Sequence, residues 1–215
     1  MALISQREAR FPLYLAAALL LLAGLGYAIA WLSTGESTVY APEQPVPFSH
    51  ATHAGRLGID CLACHHAAQK SSQAGFPDMV SCLACHRHVL PGDARLAPLH
   101  ASANPDSTVY TGGAFAWIRV NALPGHAHFD HAAHVNRGVS CAACHGDMRS
   151  AERTASSAKL TMASCLDCHR KPHGIVPLEQ ITSPAPTAPE AEALSERLIR
   201  RWKITPGTDC STCHH

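Results

Sequence analysis

The chain has 215 residues, of which 47% are hydrophobic but only 6% aromatic, and it contains 10 Cys and 16 His. The formal charge of +1 and the lack of a basic run or of basic and aromatic interleaving argue against nucleic-acid binding. Large apolar side chains are sparse after the N-terminus, so side chains alone can hardly build a sizeable core. We therefore expect another kind of group to fill the interior.

The N-terminal region contains one clearly hydrophobic run, residues 13–32, which reads LYLAAALLLLAGLGYAIAWL without a charge. As a helix it would span roughly 30 Å, the thickness of one bilayer core. Two arginines precede it and no Lys or Arg follows until Arg56, which predicts a cytoplasmic N-terminus and an exterior remainder. A cleaved signal peptide is the alternative, but the run exceeds the roughly 7–15 apolar residues of such peptides.

All ten cysteines fall into a single motif that occurs five times. Each C-x-x-C pair is followed at once by histidine, and C-x-x-C-H is the attachment signal of c-type haem. In this motif two thiols bond one porphyrin, and the adjacent imidazole is the proximal iron ligand. We number the sites in chain order: Cys61, Cys64 and His65; Cys82, Cys85 and His86; Cys141, Cys144 and His145; Cys165, Cys168 and His169; Cys210, Cys213 and His214.

Other uses of paired cysteines do not account for the five histidines. Zinc ribbons need no histidine after each C-x-x-C knuckle. Thioredoxin-type redox motifs occur once per domain, and a secreted disulfide scaffold would not keep the C-x-x-C-H register five times. The sequence therefore predicts a multihaem cytochrome c with one N-terminal transmembrane helix. Its periplasmic domain would consist of short helices and irregular loops packed around five covalently bound haem c groups.

A two-haem unit is duplicated within the chain. FSHATHAGRLGIDCLACH matches FDHAAHVNRGVSCAACH at an offset of 80 or 81 positions, and MVSCLACHR matches MASCLDCHR at an offset of 83. The expected organisation is a cytoplasmic N-terminus, a transmembrane anchor, two two-haem modules, and a Pro-rich linker with a helix and the fifth haem. The corresponding ranges are residues 1–12, 13–32, 33–120, 121–173 and 174–215.

The F-x-H-x-x-H pair ahead of each module's first motif resembles the class III cytochromes c, the c3 and c7 group. In that family the first histidine of the pair ligates the haem of the next motif, and the second ligates a neighbouring haem. The resemblance implies that His50 serves the first site and His53 the second. It likewise implies His131 for the third site and His134 for the fourth.

The fifth site lacks such a pair, so its distal ligand must come from elsewhere in the chain. The leading candidate is His126 and the second is Met162, which would raise the potential of that haem. Met79 and Met162 occupy equivalent repeat positions, which favours packing against a porphyrin for both. The roles of His66, His128, His173 and His215 stay open.

Beyond the second module, the segment GIVPLEQITSPAPTAP contains four prolines and is expected to be extended. The following EAEALSERLIRRW places Leu194, Leu198, Ile199 and Trp202 on one helical stripe. We favour a helix packed on the haem body. A helix that docks a partner is the alternative.

The motifs indicate electron transfer. The chain has enough histidines and methionines to provide a sixth ligand for all five irons, and it has no altered motif such as C-x-x-C-K that would signal an iron with an open coordination position. The chain resembles the pentahaem subunit of bacterial alternative complex III in the order of its segments. This order is the anchor, then VPFSHATHAGRLGIDCLACH, AWIRVNALPGHAHFDHAAHVNRGVSCAACHG, LTMASCLDCHR and TDCSTCHH. That resemblance implies a periplasmic relay on the inner membrane. Electrons would come from an iron–sulfur subunit related to molybdopterin oxidoreductases and pass to a monohaem cytochrome c, with quinol-binding membrane subunits alongside.

Two other hypotheses about the function of the chain stay open. One is a membrane-anchored quinol dehydrogenase of the NapC/NrfH type, in which four haems are usual. The other is a multihaem reductase such as a pentahaem nitrite reductase, which requires an open, high-spin haem.

Overall fold

A computed structural model describes residues 6–33, 40–112, 115–157, 160–184 and 189–215. Within the first helix it describes the side chains of residues 12 and 14–29. The chain divides into two units, one within Met1–Thr38 and the other within Val39–His215.

The first unit contains the helix α1, Gln6–Ser33, which is 28 residues long. The described apolar side chains along it are exposed, including Leu20 at 74% and Tyr27 at 75%. Across the described part of the chain, no helix combines the length and the apolar character that crossing a bilayer requires. The transmembrane anchor at residues 13–32 therefore stays a prediction.

The second unit consists of short helices joined by irregular loops, as the sequence predicts. Among its described residues there is no strand, and one antiparallel bridge joins Val139 to Ile175. A π-helical turn at Ala51–Arg56 and three 3-10 turns supplement the helices, at Ala94–Leu96, Met148–Ser150 and Leu178–Gln180. The helices are α2 Cys61–Cys64, α3 Met79–His86, α4 Ala97–Ala103, α5 His131–Val135, α6 Cys141–His145, α7 Met162–Arg170, α8 Glu190–Trp202 and α9 Cys210–Cys213.

Each C-x-x-C pair lies on one of these short helices, and the sequence shows why a helix begins there. The residue before each helix is an Asp, Ser or Thr, the types that satisfy the free N–H groups of a first turn. The Asp60 carboxylate accepts from Leu62 N, and the Asp78 carboxylate accepts from Ser81 N. Thr161 caps α7 in the same way through Ser164 N. These caps therefore help to fix where the helices of the first, second and fourth motifs begin.

The buried apolar side chains form only two small clusters among the described residues. One contains Val46, Met79, Leu83 and Leu99, and the other contains Val135, Val176 and Ile181. No described side chain is less than 2% exposed. For a unit of this length that is a thin core, in line with the expectation that another group supplies buried apolar surface.

The two modules pack on each other through a reciprocal pair of hydrogen bonds. Ala51 N donates to Ala151 O at 2.9 Å, and Ala132 N donates to Ser71 O at 3.1 Å. Ala132 is the repeat equivalent of Ala51, and Ala151 is the equivalent of Ser71. In each module, the turn that carries the paired histidines thus packs on the other module. It contacts the segment that follows the first haem motif of that other module. This is the isologous arrangement of a two-fold dimer, built within one chain.

Arg149 reinforces one side of this contact between modules. Its guanidinium donates to the carbonyls of Ala54 and Thr182, the latter at 2.9 Å. The Thr182 hydroxyl in turn donates to the Asp60 carboxylate at 2.5 Å. Gly55 lies so close to the Arg149 carbonyl that an added Cβ would be 2.2 Å from its oxygen. The contact therefore depends on a glycine at position 55.

Helix α8 packs one face on the rest of the unit, where Ser195 and Leu198 are buried. The Ser195 hydroxyl accepts a hydrogen bond from the buried Ile175 N at 3.0 Å. Ser195→Ala would leave that N–H without its partner, and we expect a loss of about 1–3 kcal/mol in unfolding free energy. Denaturant unfolding of the holoprotein measures it. Ser72→Ala, at an exposed position, should change the stability little, and an equal loss in both variants would contradict this role for Ser195.

Candidate haem sites

None of the ten cysteines of the motifs is fully buried. In each motif the two cysteines stand three positions apart on one helical turn, on the same face of the helix. The following histidine lies at the end of that turn in α3, α6 and α7, and directly after it in α2 and α9. Paired thiols with an adjacent imidazole are the group that covalent haem attachment requires.

Each motif histidine faces a second histidine ring from a distant part of the chain or from the neighbouring turn. The ring centres of these pairs lie between 5.6 and 6.5 Å apart, and their planes meet at angles from 2° to 63°. The pairs are His50 with His65, His53 with His86, His131 with His145, His134 with His169, and His126 with His214.

This spacing fits a haem iron between two axial imidazoles. With metal–nitrogen bonds of about 2.0 Å, two imidazoles on opposite sides of one iron have ring centres about 6.3 Å apart. Four of the pairs are at 6.1–6.5 Å, and the His126–His214 pair is slightly closer at 5.6 Å. The residues present therefore fit a six-coordinate haem at each of the five motifs.

Hydrogen bonds to Nδ1 prepare most of these histidines for ligation through Nε2. A carbonyl oxygen can only accept, so the Nδ1 atom that contacts it carries the proton and Nε2 keeps its lone pair. Seven such contacts lie at 2.6–3.0 Å: His65 to Gly75, His86 to Val89, His169 to Gly207, His214 to His126, His53 to Ser49, His131 to Ser72, and His134 to Asp130. His50 Nδ1 contacts the Thr154 hydroxyl at 3.1 Å instead.

The phenylalanine of each F-x-H-x-x-H pattern orients both histidines that follow it. Phe48 meets His50 edge-on at 4.9 Å and 87°, and it stacks on His53 at 4.5 Å and 21°. Phe129 repeats this arrangement with His131 at 4.8 Å and 87° and with His134 at 4.4 Å and 30°. One aromatic ring thus sets two imidazole planes in each module.

Burial keeps the central histidines neutral, which is the form that binds a metal. Burial, together with the charges of the neighbouring His65, His53 and His145, lowers the pKa of His50 to about 4. The pKa of His145 is lowered by burial and by His131 and His65, and burial also lowers the pKa of His134. Protonation therefore competes little with ligation at these positions near neutral pH.

The fifth site brings His126, rather than Met162, to the motif histidine. The His126 and His214 rings face each other, and the His126 carbonyl accepts from His214 Nδ1 at 2.8 Å. Next to this pair, the His128 and His215 rings stack directly at 4.3 Å, too close for an iron between them. Met162 is 68% exposed at the start of α7.

The fourth site lies in a cavity of about 270 Å³. His134, His169 and Cys168 line it together with the cationic Arg137 and Lys203. Lys203 follows α8 in the left-handed backbone conformation, which turns the chain over the cavity. Two cations beside the paired histidines suit a ligand that carries carboxylates, as haem does through its propionates. Arg137 stands just before the third motif in the sequence, whereas Lys203 has no nearby motif that could have singled it out.

Several histidines stand outside these pairs. His173 Nδ1 contacts the Lys171 carbonyl at 3.1 Å, and His66 lies close enough to Asp78 to help lower the pKa of that carboxyl. The larger causes of that lowering are the hydrogen bonds from the Ser81 side chain and backbone. His100 Nε2, on α4, is buried without a hydrogen-bond partner.

Comparison with known families decides the class of protein. Residues 32–96 match the class III cytochrome c family, and residues 127–215 match cytochrome c7 and related cytochromes c. The chain is therefore a multihaem cytochrome c, in which one stretch is similar to the class III family and another is similar to cytochrome c7. It is therefore an electron-transfer protein that carries covalently bound haem c, and its helices and irregular loops are those expected of this class.

A relative of this multihaem cytochrome c occurs in Nitratidesulfovibrio vulgaris strain Hildenborough. It is the multiheme cytochrome c subunit of a menaquinone reductase, 34% identical over 115 residues. The aligned region covers 54% of this chain and 51% of the relative. The chain thus spans about half the length of the curated relative it matches. The family matches confirm the resemblance of its modules to class III cytochromes c.

Proposed function

We propose that the chain binds five haem c groups, each with two histidine ligands, and relays electrons within a membrane-bound quinol-oxidising respiratory complex. The observation that carries this is the set of five histidine pairs, one at every C-x-x-C-H motif. A haem iron takes up and gives off single electrons between its ferric and ferrous states. The chain supplies two thioether bonds and two imidazoles per haem: the motif residues, with His50, His53, His131, His134 and His126 as distal ligands.

The pairing of rings argues for a relay and against a reductase. Substrate reduction at iron needs an open coordination position, and at every motif a second imidazole is near enough to fill it. Electron paramagnetic resonance of the oxidised protein tests this point. We expect only low-spin ferric signals. A high-spin signal that shifts on adding nitrite or cyanide would instead support the multihaem reductase.

The finer assignment is to a complex like bacterial alternative complex III. The proposed donor is an iron–sulfur subunit related to molybdopterin oxidoreductases, and the proposed acceptor is a monohaem cytochrome c. Residues 13–32 would anchor the chain in the bacterial inner membrane, with the haem unit in the periplasm. The uncharged run in α1 and its exposed apolar side chains support the anchor.

The name of the relative favours a second candidate, transfer of electrons toward menaquinone. Solubilisation in mild detergent, followed by identification of the subunits that co-purify, tests membership in a complex. We expect integral membrane subunits and an iron–sulfur subunit with this chain. Reduction of added cytochrome c by menaquinol supports the first direction, and reduction of menaquinone by a reduced cytochrome supports the second. Recovery of the chain alone, with quinol oxidase activity, would count against the complex and for a NapC/NrfH-type dehydrogenase.

A further inference from the structure

The order of the five attachment sites in space differs from their order in the chain. The first and third sites meet at the contact between the two modules. There Cys61 of the first site and Cys141 of the third site lie next to each other. Cys141 is the repeat equivalent of Cys61. The reciprocal bonds from Ala51 and Ala132 flank the same contact.

The two sites within each module are neighbours because one turn carries a distal histidine for both. His50 and His53 stand three positions apart and face His65 of the first site and His86 of the second. His131 and His134 on α5 link the third and fourth sites in the same way. The cysteines of the first and second sites are also close together. Burial raises the pKa of Cys82 of the second site, and the nearby Cys64 of the first site contributes to this rise.

The fifth site adjoins the fourth. His169 Nδ1 of the fourth site donates to Gly207 O at 2.6 Å, in the segment that leads into α9. Cys165 lies close to Cys213, which adds to the effect of burial in raising the pKa of the Cys165 thiol. Exposure singles out the first and third sites. Both cysteines of the first and third sites are partly covered, whereas Cys85, Cys165 and Cys210 of the other sites are exposed.

We propose that the five attachment sites form one row in the order second, first, third, fourth, fifth. The proposal rests on the binding of five haems put forward above. Its centre is the pseudo-two-fold contact between the first and third sites. Its two ends are the second site on α3 and the fifth site on α9. Redox partners of the chain would therefore exchange electrons at α3 and at α9, and the first site in the chain is an interior link.

Removal of single attachment sites tests the order in the holoprotein. Dipolar interaction between neighbouring ferric haems broadens their paramagnetic resonance signals, so loss of a haem sharpens the signals of its neighbours. Cys61→Ala with Cys64→Ala should sharpen two of the remaining signals, whereas Cys82→Ala with Cys85→Ala should sharpen one. Cys210→Ala with Cys213→Ala, at the other end, should also sharpen one. A row that followed the chain order would give the reverse for the first two variants, and this result would overturn the proposal.

The iron positions in the unaltered protein give a second measurement that does not depend on folding of the variants. Anomalous diffraction at the iron edge should show the irons of the first and third sites adjacent at the middle of the row. An iron of the second site between those of the first and third would overturn the order. Fewer than five irons would instead contradict the number of haems, and a failure to co-purify with quinone-reactive subunits would contradict the respiratory role alone.

Discussion

His126→Ala should convert one of the five haems from low spin to high spin and leave the other four unchanged. His126 is the only ring that the described residues place opposite His214, at 5.6 Å. Without that imidazole the iron of the fifth site keeps one axial ligand from the chain, and five-coordinate ferric haem is high spin. Resonance spectra and the visible charge-transfer band of the oxidised protein measure the change, which should be close to one fifth of the total haem.

Two matched variants separate ligation from local structure. His128→Ala removes the neighbouring ring, which stacks on His215 at 4.3 Å, while the backbone bond from His128 N to Cys213 O stays available. Met162→Ala removes the second candidate ligand. Both variants should keep all haems low spin. A high-spin haem in Met162→Ala, with none in His126→Ala, would show that the fifth site has His/Met ligation.

Gly55→Ala should clearly destabilise the haem unit. The new Cβ would lie 2.2 Å from the Arg149 carbonyl oxygen, a contact that only a shift of the backbone can relieve. Overpacking of this kind costs typically 1–3 kcal/mol, and here it would also disturb the contact between His50 and Thr154. We therefore expect a loss of about 3 kcal/mol in unfolding free energy, measured by denaturant titration followed at the haem absorbance.

Gly92→Ala is the matched control for this prediction. A Cβ at Gly92 meets no atom within 4 Å, so the substitution should change stability by less than about 0.5 kcal/mol. Equal stability of Gly55→Ala and the unaltered protein would contradict the packing of the π-helical turn on the segment after the third motif.

The asymmetry of this contact explains why a glycine is needed on one side only. The repeat equivalent of Gly55 is Asn136, and the equivalent of Arg149 is Gln69. Asn136 donates through Nδ2 to the Gln69 carbonyl at 2.9 Å. One copy of the repeat thus meets the partner carbonyl with a side-chain amide. The other copy has no side chain at the equivalent position, so its backbone approaches the carbonyl directly, and the Arg149 side chain extends across the contact between the modules.

The attachment motifs and the duplicated F-x-H-x-x-H pattern could be read from the sequence because both are local. C-x-x-C-H keeps all three groups that hold a haem within five residues, and Phe48 lies within five positions of His50 and His53. The thin core and the short helices also follow from composition and from the Asp, Ser and Thr caps. The sequence could likewise nominate His126 among the histidines that lie outside the motifs and the two F-x-H-x-x-H patterns.

Contacts between distant segments could not be read in this way. Thr154 reaches His50, and Arg149 reaches Ala54 and Thr182, across long stretches of chain that no spacing rule connects. The meeting of Cys61 with Cys141 depends on how two similar modules pack, and a repeat in sequence does not specify that packing. Lys203 acquires its place beside the fourth site only through the turn at the end of α8.

Every one of the five motifs should hold a haem through both of its cysteines. Intact-mass measurement of the mature protein, with thiol labelling under denaturing conditions, tests it most directly. We expect the mass of the chain plus five haems, and no labelled thiol. A mass with fewer haems, accompanied by labelled or disulfide-bonded cysteines in any of the five motifs, would contradict it.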